Sequence, residues 1–242
     1  MIEIDRLLKR YGDFTAVDGI SLVAHPGEIF GFLGPNGAGK TTTIRILAGL
    51  SLPTSGTARL NGIDVTTSPA RAKGISGYVP DRPFLYEKLT GGELLRFVAD
   101  LYRTPWSGCE NRAMSLLELL GLDGWVDSRI ESYSHGMKQK LVLVSALLHD
   151  PSILIIDEPM VGLDALAQKQ VRVLLRSEAD RGKTVFLTTH TLSVAEAVCD
   201  RVAILHRGRI AVMGPTAEVR AAAGTEGSAL EDAFLAITYG EG

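Results

Sequence analysis

Gly34-Pro35-Asn36-Gly37-Ala38-Gly39-Lys40-Thr41 is the stretch on which the reading of this chain turns. It matches G-x-x-x-x-G-K-S/T at every fixed position. Each part answers a problem set by a nucleotide triphosphate. The glycines let the backbone turn tightly, so that successive N–H groups point at phosphate oxygens. Candidate phosphate contacts are therefore Gly34, Asn36, Gly37, Ala38, Gly39, Lys40, Thr41 and Thr42. Lys40 brings a point positive charge for the β- and γ-phosphates, and the Thr41 hydroxyl is suited to ligate Mg²⁺. The helix that follows adds its positive N-terminal end.

The flanks agree with this reading. Glu28 to Leu33 reads as a buried strand. Thr42 to Leu50 reads as a helix, with Ile44, Leu47 and Ala48 on one face and Gly49 near its end. Strand, glycine loop and helix in that order is the context the motif requires.

Composition narrows the class. The chain has 242 residues, 45% hydrophobic and 22% charged, with a formal net charge of -3 and a pI of about 6.0. That is ordinary for a globular protein and carries no electrostatic footprint for nucleic acid, so no nucleic-acid partner is expected. Cys109 and Cys199 lie far apart with no metal-binding spacing, as expected of buried, reduced thiols. No apolar run approaches the length of a membrane span. The N-terminus, Met1-Ile2-Glu3-Ile4-Asp5-Arg6, lacks the layout of a signal peptide. The expectation is a soluble, cytoplasmic chain whose membrane role, if any, runs through a partner.

The pattern changes along the chain. Ile2 to about Val65 is strand-rich apart from the phosphate-loop helix. Ser21–Val23 and Thr57–Leu60 are strand candidates, and Asn61-Gly62 is a hairpin turn. From Thr90 to His149 the period is helical. Thr90-x-x-Glu93 is a capping box before Leu94, Phe97, Val98 and Leu101, which fall on one helical face. Further helices are expected from Glu110 to Leu120 and from about Ser134 to Leu148. After Pro151, apolar strands Ile153–Ile156 and Thr184–Thr189 alternate with helices, which indicates a parallel sheet covered on both faces. Val202–Leu205 and Arg209–Val212 flank Arg207-Gly208 as a hairpin. Ala221 to Ser228 reads as a linker to a last helix, Ala229 to Tyr239.

Chemistry gathers at strand ends. Asp157 and Glu158 close the strand Ile153–Ile156, where a phosphate-loop ATPase needs one carboxylate for the magnesium shell and a neighbour to polarise water. His190 ends the strand Thr184–Thr189, where a γ-phosphate contact is credible against the plainer reading of a surface histidine. Ser134 and Gly136 open a helix able to receive an anion, though taken alone they read better as an ordinary cap. Tyr11 is placed to stack on a purine, or simply to pack.

Taken together, these motifs resemble one family, the ATP-binding cassette ATPases of ABC transporters. The resemblance runs from Tyr11 to about Gly214. Gly34 to Thr41 looks like its Walker A loop and Ile153 to Glu158 its Walker B strand. Ser134-His135-Gly136-Met137-Lys138 resembles the signature, Gly162-Leu163-Asp164 the D-loop, His190 the switch histidine and Tyr11 the adenine-stacking aromatic.

The resemblance implies an α/β fold: a RecA-like phosphate-loop NTPase core with an antiparallel β-subdomain and a helical subdomain inserted at about 85–150. Residues 1–220 would form the ATPase domain and 221–242 a short, helical tail. It implies ATP and Mg²⁺ as cofactors, Glu158 as general base, and Asp157 with Thr41 as magnesium ligands. Two copies would pair head to tail, so that Ser134, Gly136 and Asp164 serve a site shared with a second ATPase subunit. A separate transmembrane permease would hold the chain on the cytoplasmic face of the membrane.

Two departures stand out. Asp81 replaces the family's usual Gln at the end of the strand Gly77-Tyr78-Val79; it either approaches magnesium or merely starts the loop Arg82-Pro83-Phe84. The signature carries Tyr133, His135 and Met137 where Leu, Gly and Gln are usual. That form resembles the branch serving drug, antibiotic or polysaccharide exporters. The alternatives are a soluble ATPase of this type acting on a ribosome or nucleic acid, and a regulatory ATPase. Glu158 argues against a module without turnover.

Overall fold

The computed structural model describes residues 1–221 and 230–239. The expected linker lies almost wholly outside them. The chain opens with β1 (Ile2–Tyr11) and β2 (Phe14–Ala24), then β3 (Ile29–Leu33), α1 (Lys40–Leu47), β4 (Ser55–Leu60) and β5 (Ile63–Asp64). Next come α2 (Pro69–Gly74), β6 (Ser76–Val79), α3 (Gly91–Leu101), α4 (Trp106–Leu119) and α5 (His135–Leu147). The last part is β7 (Ile153–Asp157), α6 (Ala165–Asp180), β8 (Thr184–Thr189), α7 (Leu192–Val198), β9 (Arg201–His206), β10 (Arg209–Pro215), α8 (Thr216–Ala221) and α9 (Leu230–Tyr239).

Two sheets result. An antiparallel sheet has the order β2-β1-β4-β5, closed by the Asn61-Gly62 hairpin with Leu60 opposite Ile63. The larger sheet has the order β10-β9-β3-β8-β7-β6 and is parallel except for the edge strand β10. Successive side chains of its inner strands point to opposite faces. Phe30, Phe32, Ile153, Ile155 and Phe186 pack toward α1 and the antiparallel sheet. Ile29, Leu33, Leu154, Ile156 and Leu187 pack toward α3–α7. Both faces are therefore covered, which is why these strands read as near-continuous apolar runs. Among the described residues no helix is long and apolar enough to cross a membrane.

Several expectations need correcting. Helix α1 stops at Leu47, so Leu50 lies beyond it and is exposed. Helix α4 begins a turn before Glu110, straight after Pro105, whose fixed φ suits a helix start. The capping box of α3 is present in full, with Glu93 N donating to Thr90 Oγ1 and Thr90 N to the Glu93 carboxylate. Its expected apolar face is split. Leu94, Leu95 and Ala99 are buried, whereas Phe97 and Leu101 face solvent. Phe97 instead meets the Tyr86 ring edge-on.

The loop before α3 is bound to the segment before α5. Ile130 N donates to Leu89 O, Glu131 N to Glu87 O, and Gly92 N to Val126 O. Lys88 pairs with Glu131 at 2.6 Å, and Lys138 on α5 pairs with Glu87 at 2.5 Å.

Candidate nucleotide site

The candidate residues collect at the carboxyl ends of β3, β6, β7 and β8, where ligands bind in open α/β sheets. Leu33 leads into the phosphate loop, which ends at Gly39, the N-cap of α1. Gly39 has φ 110°, and a Cβ there would lie 2.4 Å from Ala16 O. Only glycine lets the loop pass so close under β2. Lys40 is buried and its Nζ donates to Gly34 O at 2.6 Å and Pro35 O at 3.2 Å. Burial lowers its pKa, opposed by the nearby charges of Glu158 and Asp157.

Residues Asn36, Gly37 and Gly39 to Thr42 line a groove of about 180 Å³ with Phe14 and Ala16 of β2. Tyr11 does not line it. It sits across the hairpin from Phe14, with Lys9 Nζ 4.8 Å from its ring. Phe14 is a groove-lining residue that sequence reasoning missed, because the fold and not any local pattern brings β2 beside the phosphate loop.

Asp157 is buried at the end of β7, in register with Thr188 of β8, whose hydroxyl donates to its Oδ1 at 2.5 Å. Burial raises the Asp157 pKa beyond what that bond can offset, and the charges of Asp81 and Glu158 add to the rise. Asp81 is thus close enough to press on Asp157 electrostatically, while itself exposed on the loop after β6. Thr188 was not singled out from sequence, because its role depends on strand register.

Glu158 holds φ 53°, a left-handed conformation uncommon for a side chain of this size. Its N–H donates to Thr188 O at 3.1 Å, and its Oε1 lies 2.7 Å from His190 Nδ1. His190 therefore meets a carboxylate. A third group of residues stands apart from the phosphate groove. Ser134 caps α5, accepting from Met137 N at 3.2 Å, and Asp164 caps α6, accepting from Ala167 N at 2.7 Å. Neither they nor Gly136 line the groove. Gly136 and Gly162 are neighbours, since a Cβ on Gly136 would stand 3.7 Å from Gly162 O.

Among the described residues no three of His, Cys, Asp and Glu gather as a metal cage. The oxygens of Asp157 and Thr41 are hard donors, too few to hold a cation alone but suited to Mg²⁺ that takes its other oxygens from phosphates and water.

Residues 17–161 match the family model described as ABC transporter. The chain is 41% identical over 226 residues to Nod factor export ATP-binding protein I of Paraburkholderia xenovorans (strain LB400), covering 93% of this chain and 74% of that one. A solved structure of the ATP binding subunit of an ABC transporter superposes with TM-score 0.92 at 34% identity, covering 98% of this chain and 99% of that one. The dimeric structure of MJ0796, a bacterial ABC transporter cassette, superposes with TM-score 0.80 at 27% identity over 89% of this chain and 98% of that one.

Proposed function

This chain belongs to the ABC transporter family as an ATP-binding, ATP-hydrolysing subunit, and we propose that it drives export through a separate membrane permease. The Tyr133–Gln139 signature and the export role named for the Nod factor relative support that direction. The helical stretch at about 85–150 acts as an inserted subdomain of the ATPase domain, and the chain is held peripherally on the cytoplasmic face by its permease.

The groove over Asn36–Thr42 receives the triphosphate, with Phe14 and Tyr11 on the side of the base. Lys40 turns from the loop carbonyls to the β- and γ-phosphates. Thr41 and Asp157 would hold Mg²⁺, which would neutralise phosphate charge. Water attacks the γ-phosphorus, the bond to the bridging oxygen breaks, and ADP and phosphate form. Glu158 takes the proton of the attacking water, and His190 holds the carboxylate in place.

The observation that carries the dimer is the separation of Ser134 and Gly136 from the groove of their own chain. They serve the γ-phosphate bound to a second copy, as a head-to-tail pair requires. Glu158→Gln is the test. The variant should bind ATP normally, lose at least about a hundredfold in turnover, and elute as a dimer with ATP. Retained turnover removes Glu158 as the base. A monomer under ATP with turnover lost removes the shared site.

A further inference from the structure

We propose that His135 is a positioning residue for hydrolysis, its ring seating the bend that carries Glu158. The side chain stands on the first turn of α5, where the sequence departs from the usual glycine of the signature. The Cδ2–Nε2 side of its ring lies against a different segment of the same chain. A Cβ on Gly162 would be 2.7 Å from His135 Cδ2 and 3.0 Å from its Nε2, so nothing but hydrogen fits between ring and backbone. The next residue makes a second contact, since a Cβ on Gly136 would meet Leu163 Cδ2 at 3.4 Å. Two successive residues of the α5 turn therefore pack on two successive residues of the bend.

That bend needs outside support. It starts at Glu158, in its left-handed conformation, and passes Gly162 at φ 75°. Its internal bonds are long, 3.4 Å from Val161 N to Glu158 O and 3.3 Å from Leu163 N to Met160 O. Its two ends are tied, by Glu158 N to Thr188 O at 3.1 Å and by the Asp164 cap of α6, which leaves the middle about Gly162 to be held by packing. A strained non-glycine residue persists when its surroundings over-determine it. Glu158 itself is held by Thr188 and His190, and the bend that leads away from it is seated at Gly162 by His135. The role rests on the reading of Glu158 as the base. It also makes the α5 turn, which faces the second copy's nucleotide, continuous with this chain's own hydrolytic carboxylate.

The test compares His135→Ala and His135→Phe in the purified chain. Steady-state turnover is measured for each, with ATP affinity by equilibrium binding in a Glu158→Gln background and melting temperature alongside. The alanine variant should lose roughly three- to tenfold in kcat, as small misplacements of reacting groups do, with ATP affinity within about twofold and melting unchanged. Phenylalanine, a flat ring without polar atoms, should restore kcat to within about twofold. The proposal is overturned if alanine turns over like wild type, or if phenylalanine is as slow as alanine. It is also overturned if affinity falls in step with kcat, since that marks a phosphate contact. Glu158→Gln separates the two readings. If it still turns over, the base assignment fails whatever His135 does; if it is inactive while His135→Ala is normal, this inference alone fails.

Discussion

Asp157 shows what the site costs at the scale of one residue. Its carboxylate is buried 2.5 Å from Thr188 Oγ1, near the charges of Asp81 and Glu158, and its pKa is raised by burial first and by those charges second. A carboxyl raised above its unfolded value holds its proton longer in the folded state. The folded protein therefore loses stability as pH climbs from the unfolded value through the raised one, and bears the full penalty above it. Asp157→Asn removes the charge and keeps an oxygen for the Thr188 hydroxyl. It should raise the melting temperature at neutral pH by roughly 2–4 °C, the effect of about 1 kcal/mol in a chain of this size. The gain should vanish at a pH below the unfolded value, and ATPase activity should be lost. Melting curves across pH check the sign. Asp157 was legible because its chemistry lies in consecutive residues. Thr188 and Phe14 were not, because strand pairing and packing supply their partners.

At the scale of elements, local signals served well where a few neighbouring residues decide the structure. The Thr90–Glu93 box, the Ser134 cap and the Asn61-Gly62 turn stand where the sequence places them. The short helices α2, α7 and α8 were not foreseen, being six or seven residues long and stable only through packing. Nor does any local pattern reveal how α4 is fastened to α5 and α6. Arg112 reaches across to Glu178 of α6 at 3.0 Å and to Asp150 at 3.0 Å, and its Nε donates to Leu147 O. Lys183 pairs with the same two carboxylates. Glu178 is almost wholly buried, so losing one of its cations is expensive even with Lys183 retained. Arg112→Ala should lower stability by about 2 kcal/mol, or roughly 4–8 °C in melting temperature. Calorimetry reads that directly, and ATP affinity should hold.

For the whole molecule, the alternation of strands and helices made the α/β class legible. The strand order was not, because which strands neighbour β3 depends on crossovers that leave no mark in the residues. The same holds for the surface that would meet the proposed permease. Phe84 is 96% exposed and Tyr86 61%, and the Tyr86 ring meets the exposed Phe97 of α3. Solitary exposed apolar residues are common, but a contiguous group marks an interaction face. Phe84→Asp should leave the ATPase of the isolated chain within about twofold of wild type, because Phe84 packs on nothing that the site uses. It should abolish co-sedimentation with membranes that hold the permease. Unimpaired co-sedimentation would place the docking face elsewhere.

The bonds from the 87–92 stretch to residues 126–131, with the Glu87–Lys138 pair, have a practical consequence for re-engineering. The loop is not a detachable adaptor. A chimera that transplants residues 81–90 from a relative, to serve that relative's permease, carries over only one side of a laced seam. Glu87 and Lys88 would leave Lys138 and Glu131 behind. The transplant that keeps the seam intact takes 126–138 with it, and so brings the donor's signature turn as well. Residues 81–90 and 126–138 therefore have to be moved as one unit.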